Sequence, residues 1–158
     1  MLRRFTANLI TPQYLSWLND KRVNRYLECR FTRWTKKNTL RYFKGLAPNQ
    51  IMWGIFYQGQ FIGTARLDID SNNGYGTIGL LLDSAFHNNG IGTETVLSIC
   101  DYAFKKRKLH KLIAGFYSEN VPSLKVFLNA GFRPCGIWKN HYKIDNGYMD
   151  KIWMERFR

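Results

Sequence analysis

The stretch His87-Asn88-Asn89-Gly90-Ile91-Gly92-Thr93-Glu94 constrains this chain more than any other. An apolar run, Ile78 to Leu82, leads into it, and Val96, Leu97, Cys100, Ala103 and Phe104 follow at helical spacing. A buried strand is therefore expected to end in a glycine-bearing turn that opens a helix. The first turn of a helix leaves backbone N–H groups unpaired, and the helix dipole adds partial positive charge there, so such a turn is a site for anions. Gly90 and Gly92 carry no Cβ, which lets a phosphate approach the backbone. Thr93 is expected to cap the helix or touch the phosphate. An ordinary strand-to-helix turn with two glycines would share the spacing, so the surroundings must decide.

Two common phosphate loops are excluded. The dinucleotide fingerprint requires a third glycine three residues after the second, where Thr95 stands. The P-loop requires Gly-Lys-Ser/Thr, and no lysine follows Gly92. The spacing instead resembles the pyrophosphate loop of the GCN5-related (GNAT) N-acetyltransferases, Arg/Gln-x-x-Gly-x-Gly/Ala. It is most similar to the branch holding ribosomal-protein N-terminal acetyltransferases and amino-sugar acetyltransferases, where Gly-Thr-Glu-Ala often follows; Gly92-Thr93-Glu94-Thr95 nearly repeats it. His87 departs from the pattern by occupying the Arg/Gln slot.

The chain has 158 residues, 45% of them hydrophobic, which suits one domain with an ordinary core, expected to span 1–158. No apolar run reaches the length of a membrane span, and no apolar stretch follows Arg3-Arg4 as in a signal peptide. Cys29, Cys100 and Cys135 are scattered and form no metal motif, so no metal is expected and free thiols in the cytoplasm are the simplest reading. The net charge of +13 is uneven: residues 1–50 carry 11 Lys/Arg against 2 acids, and residues 101–158 carry 12 against 5. Such a field favours polyanionic partners. Lys105-Lys106-Arg107-Lys108 would suit a nucleic acid, but cations at a helix C-terminus are ordinary, and nucleic acid is not the expected partner.

Taken in order, Arg3 to Leu9 reads as a first strand. Thr11-Pro12 opens a helix with Tyr14, Leu15 and Leu18 on one face, ended by Asn19-Asp20. Val23 to Phe31 mixes aromatic and charged residues without a period, as in the wall of a polar site. Thr35 caps a second helix. Met52–Tyr57 and Phe61–Asp68 form a hairpin about Gln58-Gly59, and Asn72-Asn73-Gly74 turns the chain into Gly76–Leu82. Leu112–Tyr117 returns as a parallel neighbour. A short helix follows, with Leu124, Phe127 and Leu128 inward and Gly131 as its stop. Phe132–Tyr142 and Tyr148–Phe157 close the chain. The expected class is α+β: a mixed, mostly antiparallel twisted sheet with helices on both faces and a central, splayed parallel pair.

Further segments carry the resemblance: Asp101 to Phe104, Glu119 to Ser123, Ala130-Gly131-Phe132, and the hairpin from His141 to Asp150. It implies acetyl transfer from acetyl-CoA, a co-substrate, to an amine. A backbone N–H within Leu80, Leu81 and Leu82 would serve the developing oxyanion. Residues His87, Asn88, Asn89, Gly90, Ile91, Gly92 and Thr93 would hold the pyrophosphate, with Asn120 a further CoA contact. Phe127 stands beside the CoA where many relatives place an acidic tyrosine, and it cannot donate a proton. Ser123 is the alternative hydroxyl. Relatives carry a base near Thr77, which is no base; Glu28, Glu119 and His141 are the candidates, Glu28 first. The segment Tyr14 to Glu28 is similar to acetyltransferases of sugar and surface-polysaccharide pathways. It implies acceptor contacts from Trp17, Asn19, Arg25, Tyr26 and Arg30, with Tyr142 from the closing hairpin. A nucleotide-linked amino sugar, phosphate-bearing, is the expected acceptor. A protein N-terminus is the runner-up, and a basic nucleic-acid-binding domain that has lost catalysis is the reading of another class. A homodimer is compatible with all three.

Overall fold

The computed structural model describes all 158 residues. Seven strands form one sheet: β1 (Leu2–Arg4), β2 (Gln50–Tyr57), β3 (Gln60–Asp70), β4 (Tyr75–Leu82), β5 (Lys111–Tyr117), β6 (Arg133–Ile144) and β7 (Gly147–Phe157), in the spatial order β1-β2-β3-β4-β5-β7-β6. Every neighbouring pair is antiparallel except β4 with β5. Turn chemistry sets the register. Gln58 and Gly59, with φ of 48° and 82°, make the two-residue link between β2 and β3 that suits twisted strands.

Period-two alternation divides the apolar residues between the two faces of the sheet. Ile51, Trp53 and Ile55 of β2 enter the main core, while Met52 between them enters a second one. The main core lies under α4 (Ile91–Asp101) and α5 (Val121–Asn129). The second is covered by α1 (Pro12–Asn19), α2 (Lys21–Asn24) and α3 (Lys36–Lys44), with Tyr14, Trp17 and Leu18 buried against Phe5 and Leu81. The sequence signals for these helices hold. Thr11 accepts from the Tyr14 N–H, and Thr35 with Asn38 forms a reciprocal capping box. No helix is long and apolar enough to cross a membrane.

Four local expectations are corrected. The first strand is only Leu2–Arg4; the Phe5 ring is buried against Tyr14 and Phe43, and the chain turns through a 3-10 segment, Ala7–Leu9, to reach α1. Another 3-10 turn, Ser84–Phe86, separates β4 from the glycine loop. The inward face of α4 is Ile91, Thr95, Val96, Ile99 and Cys100, whereas Leu97 is 40% exposed. On α5, Phe127 is buried and Leu128 is exposed.

The parallel pair makes the opening. Only Tyr75–Thr77 of β4 register with Lys111–Ile113 of β5. Beyond them Ile78–Leu82 remain on β3, and Ala114–Tyr117 remain on β7. The two strands therefore part in mid-sheet, as expected of the splayed pair.

Candidate active site

A cavity of about 440 Å³ lies against the end of β4 beyond its pairing with β5. Leu80, Leu81 and Leu82 form one wall, and the loop from His87 through Thr93 forms the floor. Asn120, Ser123 and Val126 of α5 close a second side, and Arg22, Arg25 and Tyr26 close a third.

The loop's geometry follows from its glycines. Gly90 is the N-cap of α4 with φ of 75°, a left-handed conformation that costs a Cβ-bearing residue about 1–2 kcal/mol. A Cβ there would meet nothing within 4 Å, so Gly90 is needed for its backbone angle alone. Gly92 is needed for space: a Cβ would lie 3.0 Å from Val126 Cγ2 and 3.6 Å from Leu80 Cδ2. The imidazole Nε2–H of His87 donates to the Leu82 carbonyl at 3.1 Å and ties the loop to the end of β4. Thr93 does not cap; it is the third residue of α4 and lines the cavity.

The consequence is a row of unused donors. The His87 N–H bonds Ser84, and the Glu94 N–H bonds Gly90. The six N–H groups between them, from Asn88 to Thr93, have no acceptor within the chain. They lie at the positive end of the α4 dipole and line the cavity, as an anion site requires. Across the cavity, Asn120 caps α5 by accepting from the Ser123 N–H at 3.1 Å, which leaves the Ser123 hydroxyl free of that cap. Arg22 is held at 2.7 Å by Asp20, whose carboxyl these bonds hold below the usual range, while Arg25 and Lys125 have no carboxylate partner.

A family description, acetyltransferase (GNAT) domain, matches residues 1–133. The chain belongs to the GNAT acetyltransferase family. A Bacillus subtilis member, the probable N-acetyltransferase YjcK, is 41% identical over 73 residues, which are 46% of this chain and only 40% of YjcK. The matched segments span about half, or less, of the curated relatives. Among solved structures, the GNAT fold superposes on a RimL ribosomal-protein alpha-N-acetyltransferase in complex with coenzyme A. That match has a TM-score of 0.88 and 19% identity and covers 99% of this chain and 92% of that one. It also superposes on the Vibrio cholerae spermidine N-acetyltransferase with CoA and spermine, with a TM-score of 0.85, 16% identity, and coverage of 99% and 94%. These two likenesses concern the fold.

The expected site residues divide into two groups. Leu80 to Leu82, His87 to Thr93, Asn120, Ser123, Arg25 and Tyr26 all line the cavity of this GNAT domain. Phe127 does not. It is 4% exposed, stacked on Phe116 at 5.8 Å and packed edge-on against Phe132, inward as the helical spacing places it and off the cavity wall where the resemblance implied a CoA contact. Trp17 and Asn19 are also structural: Trp17 packs on Phe61 in the second core, and Asn19 bridges the Leu15 and Trp34 backbones. Glu119 is exposed and off the cavity wall.

Glu28, Arg30, Tyr142 and His141 lie outside the cavity wall but are brought together beside it. Their centre is Tyr117, the last residue of β5 and 2% exposed. Its hydroxyl donates to Glu28 Oε1 at 3.1 Å and meets the Arg30 guanidinium, and its ring stacks on Tyr142 at 3.6 Å. Tyr26 links this cluster to the cavity, 5.6 Å from the Tyr117 ring. Burial pushes the Tyr117 and Tyr142 phenols up from their ordinary value. His141 is exposed, between Tyr142 and Trp138.

Sequence reasoning missed Tyr117, Arg22, Lys125 and Asn129. Helical spacing carried a signal for some: Pro122, Val126 and Asn129 follow at i, i+4, i+7 on the face of α5 that begins at the cap, and Arg22 precedes Tyr26 by four. Tyr117 gave none, because its partners lie 87 and 89 residues away in sequence.

Proposed function

We propose that this chain, as one GNAT domain over residues 1–158, is an acetyl-CoA-dependent N-acetyltransferase of the cytoplasm whose acceptor is a primary amine on a small, nucleotide-linked amino sugar. The observation that carries the reading is the row of six free N–H groups from Asn88 to Thr93 along the cavity. It supports pyrophosphate binding at the mouth of a gap between parted strands.

Acetyl-CoA supplies the acetyl group and a thiolate leaving group. A backbone N–H of the Leu80–Leu82 wall stabilises charge on the carbonyl oxygen, a role that needs no side-chain chemistry. The Ser123 hydroxyl donates to the sulfur as the C–S bond breaks. The attacking nitrogen must be neutral, and for an alkylamine with pKa of about 10 only about one in a thousand is neutral at pH 7. Glu28 serves as base through the Tyr117 hydroxyl, which donates to its carboxylate at 3.1 Å. A sugar amine, with its lower pKa, needs this help least.

Arg25 and Lys125, which line the cavity without a carboxylate partner, favour an anionic acceptor and disfavour a polyamine. The test is thiol release from acetyl-CoA with a panel of amines. Turnover with UDP- or dTDP-linked amino sugars is expected. Turnover only with peptide N-termini would replace this acceptor with a protein, and a CoA-dependent thermal shift without any turnover would count against catalysis itself.

A further inference from the structure

A continuous file of aromatic rings leaves the cavity at Tyr26. It runs through Tyr117, Tyr142, His141 and Trp138 to Trp153, with ring centroids 3.6–5.6 Å apart at every step. The outer part belongs to the β6–β7 hairpin, and residues from 134 onward lie beyond the span that matches the family. Trp138 is 50% exposed and His141 is exposed, so both side chains can be reached from solvent.

Cations accompany the file. Arg25 lies 4.3 Å above Tyr26, Arg30 lies 4.8 Å above Tyr117, and the Lys151 ammonium lies 4.1 Å from Trp153, 5.1 Å from Trp138 and 5.5 Å from Tyr142. None of the three has a carboxylate within ion-pair distance; the six ion pairs engage Arg22, Arg66, Lys105, Lys111, Arg133 and Lys139. The nearby acids are occupied: Glu28 accepts from Tyr117, and Asp150 is held by Lys139 and the Asn140 N–H. Gly115 makes the arrangement possible, since a Cβ there would come 2.5 Å from Lys151 Cε and 2.8 Å from the Trp153 ring.

Flat ring faces accept a nucleobase regardless of its identity, and cations beside them accept phosphate oxygens. We propose that this hairpin surface binds the nucleoside diphosphate part of the acceptor, with the base stacked on Trp138 beside the edge-on His141 ring and the phosphates met by Lys151, Arg30 and Arg25. The inference rests on the nucleotide-linked acceptor proposed above and extends it to a site. A peptide acceptor carries neither a planar base nor an obligatory phosphate and would leave these groups unused.

The probes are UDP and dTDP, titrated into the CoA-saturated protein and followed by tryptophan fluorescence. Both are expected to bind, more tightly than uridine or inorganic phosphate alone. Trp138→Ala should weaken UDP by about tenfold or more, the usual worth of one stacked base, while the CoA-dependent thermal shift stays in place. Lys151→Gln should weaken UDP and reduce the salt dependence of its binding. No UDP binding, an unchanged UDP affinity in Trp138→Ala, or an oligouridylate that binds more tightly than UDP and is not displaced by it would each overturn the site. Failure of acetyl transfer is read separately: loss of the CoA response with UDP binding intact removes the enzyme reading, acetylation of peptides without UDP binding removes the nucleotide-linked acceptor together with this site, and undiminished turnover of UDP-linked amino sugars with unchanged UDP affinity in Trp138→Ala removes only this site.

Discussion

The two glycines of the loop are required for different reasons, and substitution separates them. In Gly92→Ala the new methyl would sit 3.0 Å from Val126 Cγ2, against an ordinary carbon–carbon separation of about 3.5–4.0 Å. Closing that overlap means moving α4 away from α5 by about half an ångström or more. Overpacking of this kind costs about 1–3 kcal/mol, and replacing glycine by alanine in a helix returns up to about 1 kcal/mol. The net loss should be about 1 kcal/mol, with CoA affinity reduced because the displaced turn carries the free N–H groups. Val126→Ala removes both nearby methyls, so the double variant should recover at least about 1 kcal/mol relative to the sum of the single changes. Gly90→Ala should cost a similar amount through its φ of 75°, but its Cβ meets nothing, so Val126→Ala should give no rescue. Urea unfolding of the single and double variants measures both cycles. Additivity of Gly92→Ala with Val126→Ala to within about 0.5 kcal/mol would refute the steric argument.

Ser123→Ala should lower kcat with little change in stability or CoA affinity, because the α5 cap uses only the Ser123 backbone; a wild-type kcat would end its role at the thiolate. Asn120→Ala removes that cap and should lower stability by about 1 kcal/mol in urea unfolding. Burial pushes the Cys29 and Cys100 thiols up to about 11. An unfolded thiol ionises near about pH 8.5, so their contribution to stability is complete below that pH and is lost as the pH rises towards the folded value. At pH 9 a disulfide reagent should therefore modify exposed Cys135 promptly and buried Cys100 only after unfolding; equal rates for the two would contradict the packing.

What could be read from the sequence was what neighbours in the chain decide. The glycine loop, the caps at Thr11 and Thr35 and the Gln58-Gly59 turn each depend on a few consecutive residues, and each stands where its chemistry places it. Helix faces were harder. Successive residues differ by about 100° around a helix, so a short apolar cluster leaves its inward direction ambiguous by one position. Leu97 and Leu128 were assigned inward on that basis and are exposed, whereas Phe127, also assigned inward, is buried. The acceptor side was least legible. Lys21–Asn24 and Glu28–Phe31 are too short to show any period, and their partner Tyr117 comes from the far end of β5. Trp17 was misplaced for a related reason: an aromatic residue beside polar ones suits a binding wall and a small satellite core equally well, and only the presence of Phe61 from β3 decides.

The parting of β4 from β5 also narrows the proposed oxyanion donor. Along an antiparallel pair, alternate residues turn both backbone groups towards the neighbour, and those between turn them away. Asp83 N–H donates to the Ile62 carbonyl of β3. The register pairs Leu81 with Thr64 and Gly79 with Arg66, which share that phase, so Leu81 and Gly79 spend their backbone groups on β3. Leu80 and Leu82 are out of phase and face the side where β5 would continue, but β5 pairs with β4 only as far as Thr77. The Leu82 carbonyl is taken by His87, whereas the N–H groups of Leu80 and Leu82 open onto the gap. A backbone donor removed from both water and a partner is costly, so a site that keeps two of them must satisfy them with solvent or with a ligand. The extended, amide-bearing arm of acetyl-CoA laid along this edge would meet that need as an added strand, and its thioester carbonyl would fall to Leu80 or Leu82, not to Leu81. The same interruption that leaves β4 unpaired lets the α4 loop and the cap of α5 reach the gap from one face and the Arg22–Tyr26 segment from the other. On the proposed reading, CoA binds along the edge of β4 that this interruption leaves free, and the side chains around the cavity adapt that edge to an acceptor.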